Sequence, residues 1–181
     1  MKKQIVTALL ASAAILAPMP ASAEILMKIE GISGASSLKG YEGWINVDGL
    51  SENMTREVSL SDGAKREVGM PMVQEINIFR QMDNSSTELR TYFASGKIIP
   101  EVTFAVLTSP EQGEAVETSS VVLKDVIITN ISSSYGEESF EGVNLSFSRI
   151  TWKNPKIDPS GKVVLEKSDQ ATFNLITGKL E

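Results

Sequence analysis

INIFRQMDNSSTELRTYFASGKIIPEVTFAVL, residues 76–107, decides the fold. It reads as strand, helix, strand. Ile76 and Ile78 alternate with Asn77, the period of a strand with one buried face. Asp83 and Asn84 break that run. Ser85-x-x-Glu88 has the form of a capping box, with Ser85 accepting from the amide of residue 88 and Glu88 reaching back to the amide of Ser85. Leu89, Tyr92 and Phe93 then recur at i, i+3 and i+4, a single apolar stripe. Gly96 suits the left-handed position after a helix end, and Pro100 stops the helix continuing. The helix is therefore about three turns, roughly 15 Å long. Alone it is marginal in water and needs a sheet to pack on.

The flanking chain supplies strands. EILMKIE, residues 24–30, places Ile25, Met27 and Ile29 on one face. A turn follows at residues 31–34 and a polar loop at 35–40. Residues 41–50 read as a second strand with Trp44 and Val47 in the core. Residues 51–70 are polar and glycine-bearing, a long excursion with a short strand at 55–60; loops of this length are usually functional. Beyond the central unit comes a turn-rich acidic loop at residues 109–118, then a long strand at 119–134. Its phase slips at Lys124-Asp125, which predicts a β-bulge. Residues 139–153 pair with it as a hairpin, Val143, Leu145 and Phe147 alternating with polar residues, and Trp152 falls out of phase as if at a second bulge. After a turn at 154–162, residues 163–166 and 171–176 read as a closing hairpin. Many short strands and one short helix predict a mainly β domain, a barrel or sandwich of two antiparallel sheets with the helix packed on its side.

MDNSSTEL and SGKIIPEVTF, around the short helix, together resemble the haemolysin-coregulated protein (Hcp) family of type VI secretion tube proteins. ILMKIEGISGASSLKGYEGWI, residues 25–45, is similar to that family's I-x-L-K-I-x-G-I-x-G-E-S and K-G-H-x-G-W-I runs. It departs at Ala35, where the family has an acid, and at Tyr41, where histidine is common. KREVGMPMVQEI (65–76) and VVLKDVIITNIS (121–132) also resemble family segments, so the likeness covers nearly all of residues 25–181. It implies an Hcp-like barrel, a homo-oligomer closing into a hexameric ring, rings stacked into a tube, effector cargo, and contact with spike or sheath proteins. It also implies that the 51–70 excursion stacks rings, with Ser51, Glu52, Arg56, Asp62, Gly63, Lys65 and Arg66 as its polar residues.

The first residues read as a secretory leader. Lys2 and Lys3 give a basic start, residues 5–17 are apolar, Pro18 and Pro20 break the run, and Ala21-Ser22-Ala23 is an A-x-A site, placing the cut between Ala23 and Glu24. The apolar run is too short to span a bilayer. The expected product is one domain, residues 24–181, exported to the periplasm or secreted, and free of the membrane after cleavage. Tubes of the family assemble in the cytoplasm without a leader, so the leader points to an exported relative. Cleavage removes two of 17 basic residues and none of 23 acidic ones, leaving a balance of −8, which argues against nucleic acid and anionic membrane as partners.

The chain has no cysteine and no histidine. Ser-His-Asp and Cys-His catalysis are excluded, as are zinc sites built on those residues. Ser36-x-x-Lys39 matches an acyl-serine motif, but it sits between glycines without its partner motifs. Gly96-Lys97 and Gly161-Lys162 lack the spacing of a phosphate loop. Glu137, Glu138 and Glu141 read as a solvated turn without a calcium-loop spacing. Trp44, Tyr92, Phe93, Phe104, Phe147 and Trp152 read as core by periodicity. The sequence thus predicts no catalytic residue, metal or cofactor. Two functions remain: a non-enzymatic tube subunit resembling Hcp, and an exported β-sandwich binding protein with no role in a secretion tube.

Overall fold

The computed structural model describes residues 22–61, 65–109, 115–157 and 163–181. The leader up to residue 21, and Asp62 and Gly63 of the expected stacking loop, lie outside them. In chain order the elements are β1 (Ser22–Ile29), β2 (Ile45–Val47), β3 (Gly49–Ser51), β4 (Met54–Ser61), β5 (Lys65–Val73), β6 (Ile76–Gln81), α1 (Ser86–Ser95), β7 (Ile99–Ser109), β8 (Val116–Ser134), β9 (Phe140–Ser146), β10 (Arg149–Ile157), β11 (Val163–Asn174) and β12 (Lys179–Leu180). The strands form two antiparallel sheets sharing β8. The first runs β12-β11-β10-β8-β7-β1-β2, the second β3-β6-β9-β8, and β4-β5 is a separate ribbon.

Between the sheets lies one core. Met27 pairs with Phe104 and Phe104 with Val121 in the first sheet, while Ile78 pairs with Val143 and Ile76 with Leu145 in the second. All of these side chains are buried together. A smaller cluster on the other face of the first sheet joins Leu26, Ala105 and Leu107 to Leu38, Tyr41 and Trp44. The loop before β2 supplies that cover, and Tyr41 Oη donates to Glu117 at 3.1 Å. Burial, then the neighbouring Glu117 carboxylate, raises the Tyr41 pKa above 10.0.

Three places where the sequence loses its alternation are corners between sheets. The strand expected over 41–50 is divided: β2 belongs to the first sheet, β3 to the second, and Asp48 between them donates its N–H to Phe79 O at 2.9 Å. The slip at Lys124-Asp125 lies where β8 leaves β10 and takes up β9; pairing to β10 ends at Lys124 and pairing to β9 starts at Ile127. The slip keeps Val121 and Leu123, then Val126 and Ile128, in the same core. Asp125 takes φ 52° there, a left-handed backbone that aspartate tolerates better than most residues. The expected second bulge near Trp152 is instead a break at residues 147–148, after which β10 crosses to the first sheet.

These last two corners are tied together. Ser148 donates its N–H to Lys124 O at 3.0 Å and its Oγ to Asp125 Oδ2 at 2.6 Å. The end of the chain also differs from expectation. Residues 163–166 and 171–176 are not a hairpin; β11 is one strand of 12 residues running antiparallel to β10, and only β12 folds back on it.

Candidate functional site: an uncovered hairpin and a buried charge cluster

Two arrangements stand out. The first is the 51–70 excursion, which is a β-hairpin rather than a loop. β4 and β5 pair with each other from Met54↔Val73 to Ser61↔Lys65. Between Arg56 and Val58 the two steps on β4 are matched by three on β5, from Pro71 to Val68, which is a bulge. Alternation places Met54, Arg56, Val58 and Leu60 on one face with their partners Val73, Pro71, Val68 and Arg66. That face is mostly apolar, yet Val58 and Val68 are each 57% exposed and Leu60 is 76% exposed. An isolated two-stranded ribbon is marginal in water. The sequence conceals this face because its apolar residues are separated by Thr55, Arg56, Glu57 and Ser59 on one strand and interrupted by Gly69 on the other.

The hairpin is anchored at its base. Gln74 N–H donates to Asn53 O at 2.9 Å. Trp152 Nε1 donates to the Glu52 carboxylate, at 2.9 Å to Oε2. Ser51 ends β3, its Oγ 3.4 Å from Asn77 O. Arg56 lies on β4 opposite Pro71, Arg66 on β5 opposite Leu60, and Lys65 begins β5. Of the residues expected to stack rings, Ser51 and Glu52 therefore belong to the base, and Arg56, Lys65 and Arg66 to the ribbon.

The second arrangement was missed in the sequence. Arg80 continues the buried phase of Ile76 and Ile78, and Glu141 that of Val143 and Leu145. They are cross-strand partners. Arg80 Nη1 meets Glu141 Oε1 at 2.7 Å with neither side chain exposed. Ser86 Oγ donates to the same oxygen at 2.9 Å. Arg90 of α1 lies 2.9 Å from Glu141 Oε2 and donates to Ser86 O and Ser133 Oγ. Arg80 Nη2 lies 2.5 Å from Asp83 Oδ1. Glu141 Oε2 and Arg80 Nη2 lack an aligned hydrogen bond, so the ion contacts supply their compensation. Glu137 and Glu138 stay exposed in the turn as expected, but Glu141 does not.

This cluster also moves the helix cap. Ser85 has helical dihedrals and makes no side-chain cap, and Glu88 is exposed in the first turn. The reciprocal pair is two residues earlier. Asp83 Oδ1 accepts from Ser85 N–H at 2.8 Å, and Ser86 Oγ accepts from Asp83 N–H at 3.1 Å. Ser85 Oγ turns back to donate to Asp83 Oδ1 at 2.5 Å. Burial alone would raise the Asp83 pKa; the hydrogen bonds from Ser85 and Arg80, with the charge of Arg80, outweigh it and hold the carboxyl below 3.8. The other helix end matches expectation. Gly96 has φ 63°, its N–H donates to Phe93 O, and Lys97 N–H donates to Tyr92 O, the Schellman pattern. Leu89 is fully buried and Tyr92 partly so, but Phe93 is exposed, which narrows the stripe. Trp44 and Trp152 are also only half-buried.

Arg80 and Glu141 are inaccessible to any substrate, so their arrangement docks α1 on the second sheet. The outer face of that sheet carries a stacked pair, Phe79 and Phe140, with ring centroids 5.2 Å apart. Phe79 lies between Gly49 and Gly142 in the ladders; its Cβ lies over Gly49, while Ser132 Oγ lies over Gly142.

Residues 26–154 match the family described as type VI secretion system effector, Hcp. The chain belongs to the Hcp family. Solved Hcp structures share its fold. Hcp1 from Salmonella typhimurium superposes with a TM-score of 0.69 at 23% identity, over 88% of this chain and 99% of that one. A type VI secretion system effector from Yersinia pestis gives 0.65 at 20% identity, over 83% and 98%. A structure described as a type six secretion system protein gives 0.78 at 18% identity, over 88% and 100%. No curated protein matches the chain. Within this Hcp chain the expected cut falls inside β1, near its start: Ala23 lies opposite Thr108 and Glu24 opposite Leu107. None of its described helices is long and apolar enough to cross a membrane.

Proposed function

We propose that this Hcp-family protein is a non-enzymatic assembly subunit, exported after cleavage between Ala23 and Glu24, whose copies close into a hexameric ring. Rings meet through the β4–β5 hairpin, and the assembly carries effector cargo or meets spike and sheath components. The observation that carries this reading is the uncovered apolar face of Met54, Val58, Leu60 and Val68 on a ribbon outside both sheets. Such a face gains by burial against a second surface. A second copy is the occupant that the family membership supports, and a rotation that closes gives a ring.

Residues 54–73 can be replaced by a short Gly-Ser bridge, because Asn53 and Gln74 already touch at 2.9 Å. The shortened protein should keep its β circular dichroism and lose stacking, read by light scattering and negative-stain microscopy of residues 24–181. A parent that stays monomeric at high concentration would overturn the ring and leave the exported binding protein as the reading. A shortened protein that stacks like the parent would remove the hairpin from the interface.

A further inference from the structure

We infer that the hairpin is a methionine-oxidation site through which a peroxide controls assembly, an inference that rests on the hairpin being the docking surface. Five methionines lie in the described chain. Met27 is fully buried and Met82 is partly covered, with Arg90 Nη2 3.9 Å from its sulfur. The other three, Met54, Met70 and Met72, are all on β4 and β5 and are 52%, 69% and 55% exposed. With no cysteine anywhere in the sequence, no thiol competes for a two-electron oxidant. Thioether chemistry is therefore concentrated on one ribbon.

The three positions span that ribbon. Met54 lies on the apolar face with Val58, Leu60 and Val68; Met72 lies on the opposite face across from Thr55; Met70 sits in the bulge. The Met70 methyl packs at Gly178, where no side chain intervenes and an added Cβ would clash with it. Met70 and Met72 also border a groove lined by Phe173 and Leu175 at the foot of the hairpin. Met70 and Met72 thus line an apolar groove, and Met54 lies on the apolar face itself.

In the reaction the methionine sulfur attacks the terminal oxygen of hydrogen peroxide. The O–O bond breaks, an S–O bond forms, and the departing hydroxide takes the proton of the transferred hydroxyl to leave as water. Sulfur is oxidised by two electrons and peroxide reduced by two. The product sulfoxide is polar and chiral. At Met54 it replaces a flexible apolar side chain on the docking face with a strong acceptor that must be desolvated on assembly, and at Met70 and Met72 it puts that acceptor into the groove that seats the foot of the hairpin. A methionine sulfoxide reductase drawing two electrons from a thiol returns the sulfoxide to the thioether with release of water, so the oxidation can be undone.

The test uses residues 24–181 and hydrogen peroxide, with peptide mass mapping beside light scattering. Four samples are compared: the parent, the Gly-Ser hairpin replacement, the Met54→Leu/Met70→Leu/Met72→Leu triple variant, and a Met82→Leu control. The expected result is oxygen uptake at Met54, Met70 and Met72 before Met82 and Met27, with loss of the stacked species. The triple variant should assemble and stay assembled in peroxide, and the control should behave as the parent. A parent that assembles, needs its hairpin to do so, and remains assembled once the three sites are oxidised overturns this inference and leaves the docking reading intact. Assembly that is indifferent to the hairpin replacement overturns the docking reading, and the inference with it. Uptake at Met82 or Met27 as early as at the hairpin overturns the assignment of the site, whatever the assembly does.

Discussion

Arg80 and Glu141 are direct partners in the β6–β9 ladder, and their charged ends meet at 2.7 Å with no solvent access to either. Removing one member strands the other charge in the interior. Arg80→Met or Glu141→Leu should each cost about 3–5 kcal/mol. The double replacement should recover part of that loss, because two apolar side chains of similar volume satisfy each other. Urea denaturation in a double-mutant cycle measures the coupling. Single variants as stable as the parent would rule out a buried pair.

Asp83 gives stability an acid limb. Its folded pKa lies below the unfolded value of 3.8. Its contribution is therefore complete above that value and is lost as pH falls through the lower folded value. Asp83→Asn should reduce stability at neutral pH and flatten the loss between pH values around and below 4. Thermal midpoints across that range check the sign; an unchanged acid slope would mean that the Arg80 contact does not persist in solution.

The cap can be located by comparison. Asp83→Ala should cost about 1 kcal/mol or more, since it removes the side chain that accepts from Ser85 N–H. Ser85→Ala should cost less. Leu89→Ala, at a fully buried site, should cost about 2–5 kcal/mol. An order in which Ser85→Ala is the worse of the two cap variants would return the cap to Ser85.

At the shared corner, Asp125→Val should destabilise by at least about 1–2 kcal/mol, because a β-branched residue is penalised at φ 52°. Asp125→Gly removes the backbone penalty while losing the 2.6 Å bond from Ser148, so it should fall near the parent. Equal losses in the two variants, read by chemical denaturation, would assign the position's importance to the hydrogen bond alone.

How far the sequence speaks can be judged from these residues. Alternation in 140–147 and at Ile76 and Ile78, the glycine at position 96, and the order of family segments were enough for two sheets and one helix. Alternation reports burial and not which sheet a strand belongs to, so corners at Asp48, Asp125 and Ser148 looked like bulges or continuous strand. Composition also misled at the hairpin, where a ribbon with one apolar face reads as a polar loop. The charge cluster was visible in principle. Arg80 and Glu141 each occupy the buried phase of a strand, and a charge in that phase asks for an opposite one in the neighbouring strand. The cap was misread because Ser85-x-x-Glu88 fits the common pattern, while Asp83 and Ser86 do the same work with less familiar residues.

The β1–β7 ladder is a long-range closure, with a consequence for a chain that is made from one end. Met27 and Phe104 are adjacent in space but far apart along the chain. A chain emerging amino end first presents Ile25, Met27 and Ile29 long before the residues that will cover them exist. Closing so wide a loop must precede the contacts that reward it. β1 can thus pair with β2 as soon as residues 45–47 follow it, but its other edge stays open until β7 is made. The β8–β9 ladder, later still in the chain, closes the opposite sheet over a first sheet already begun.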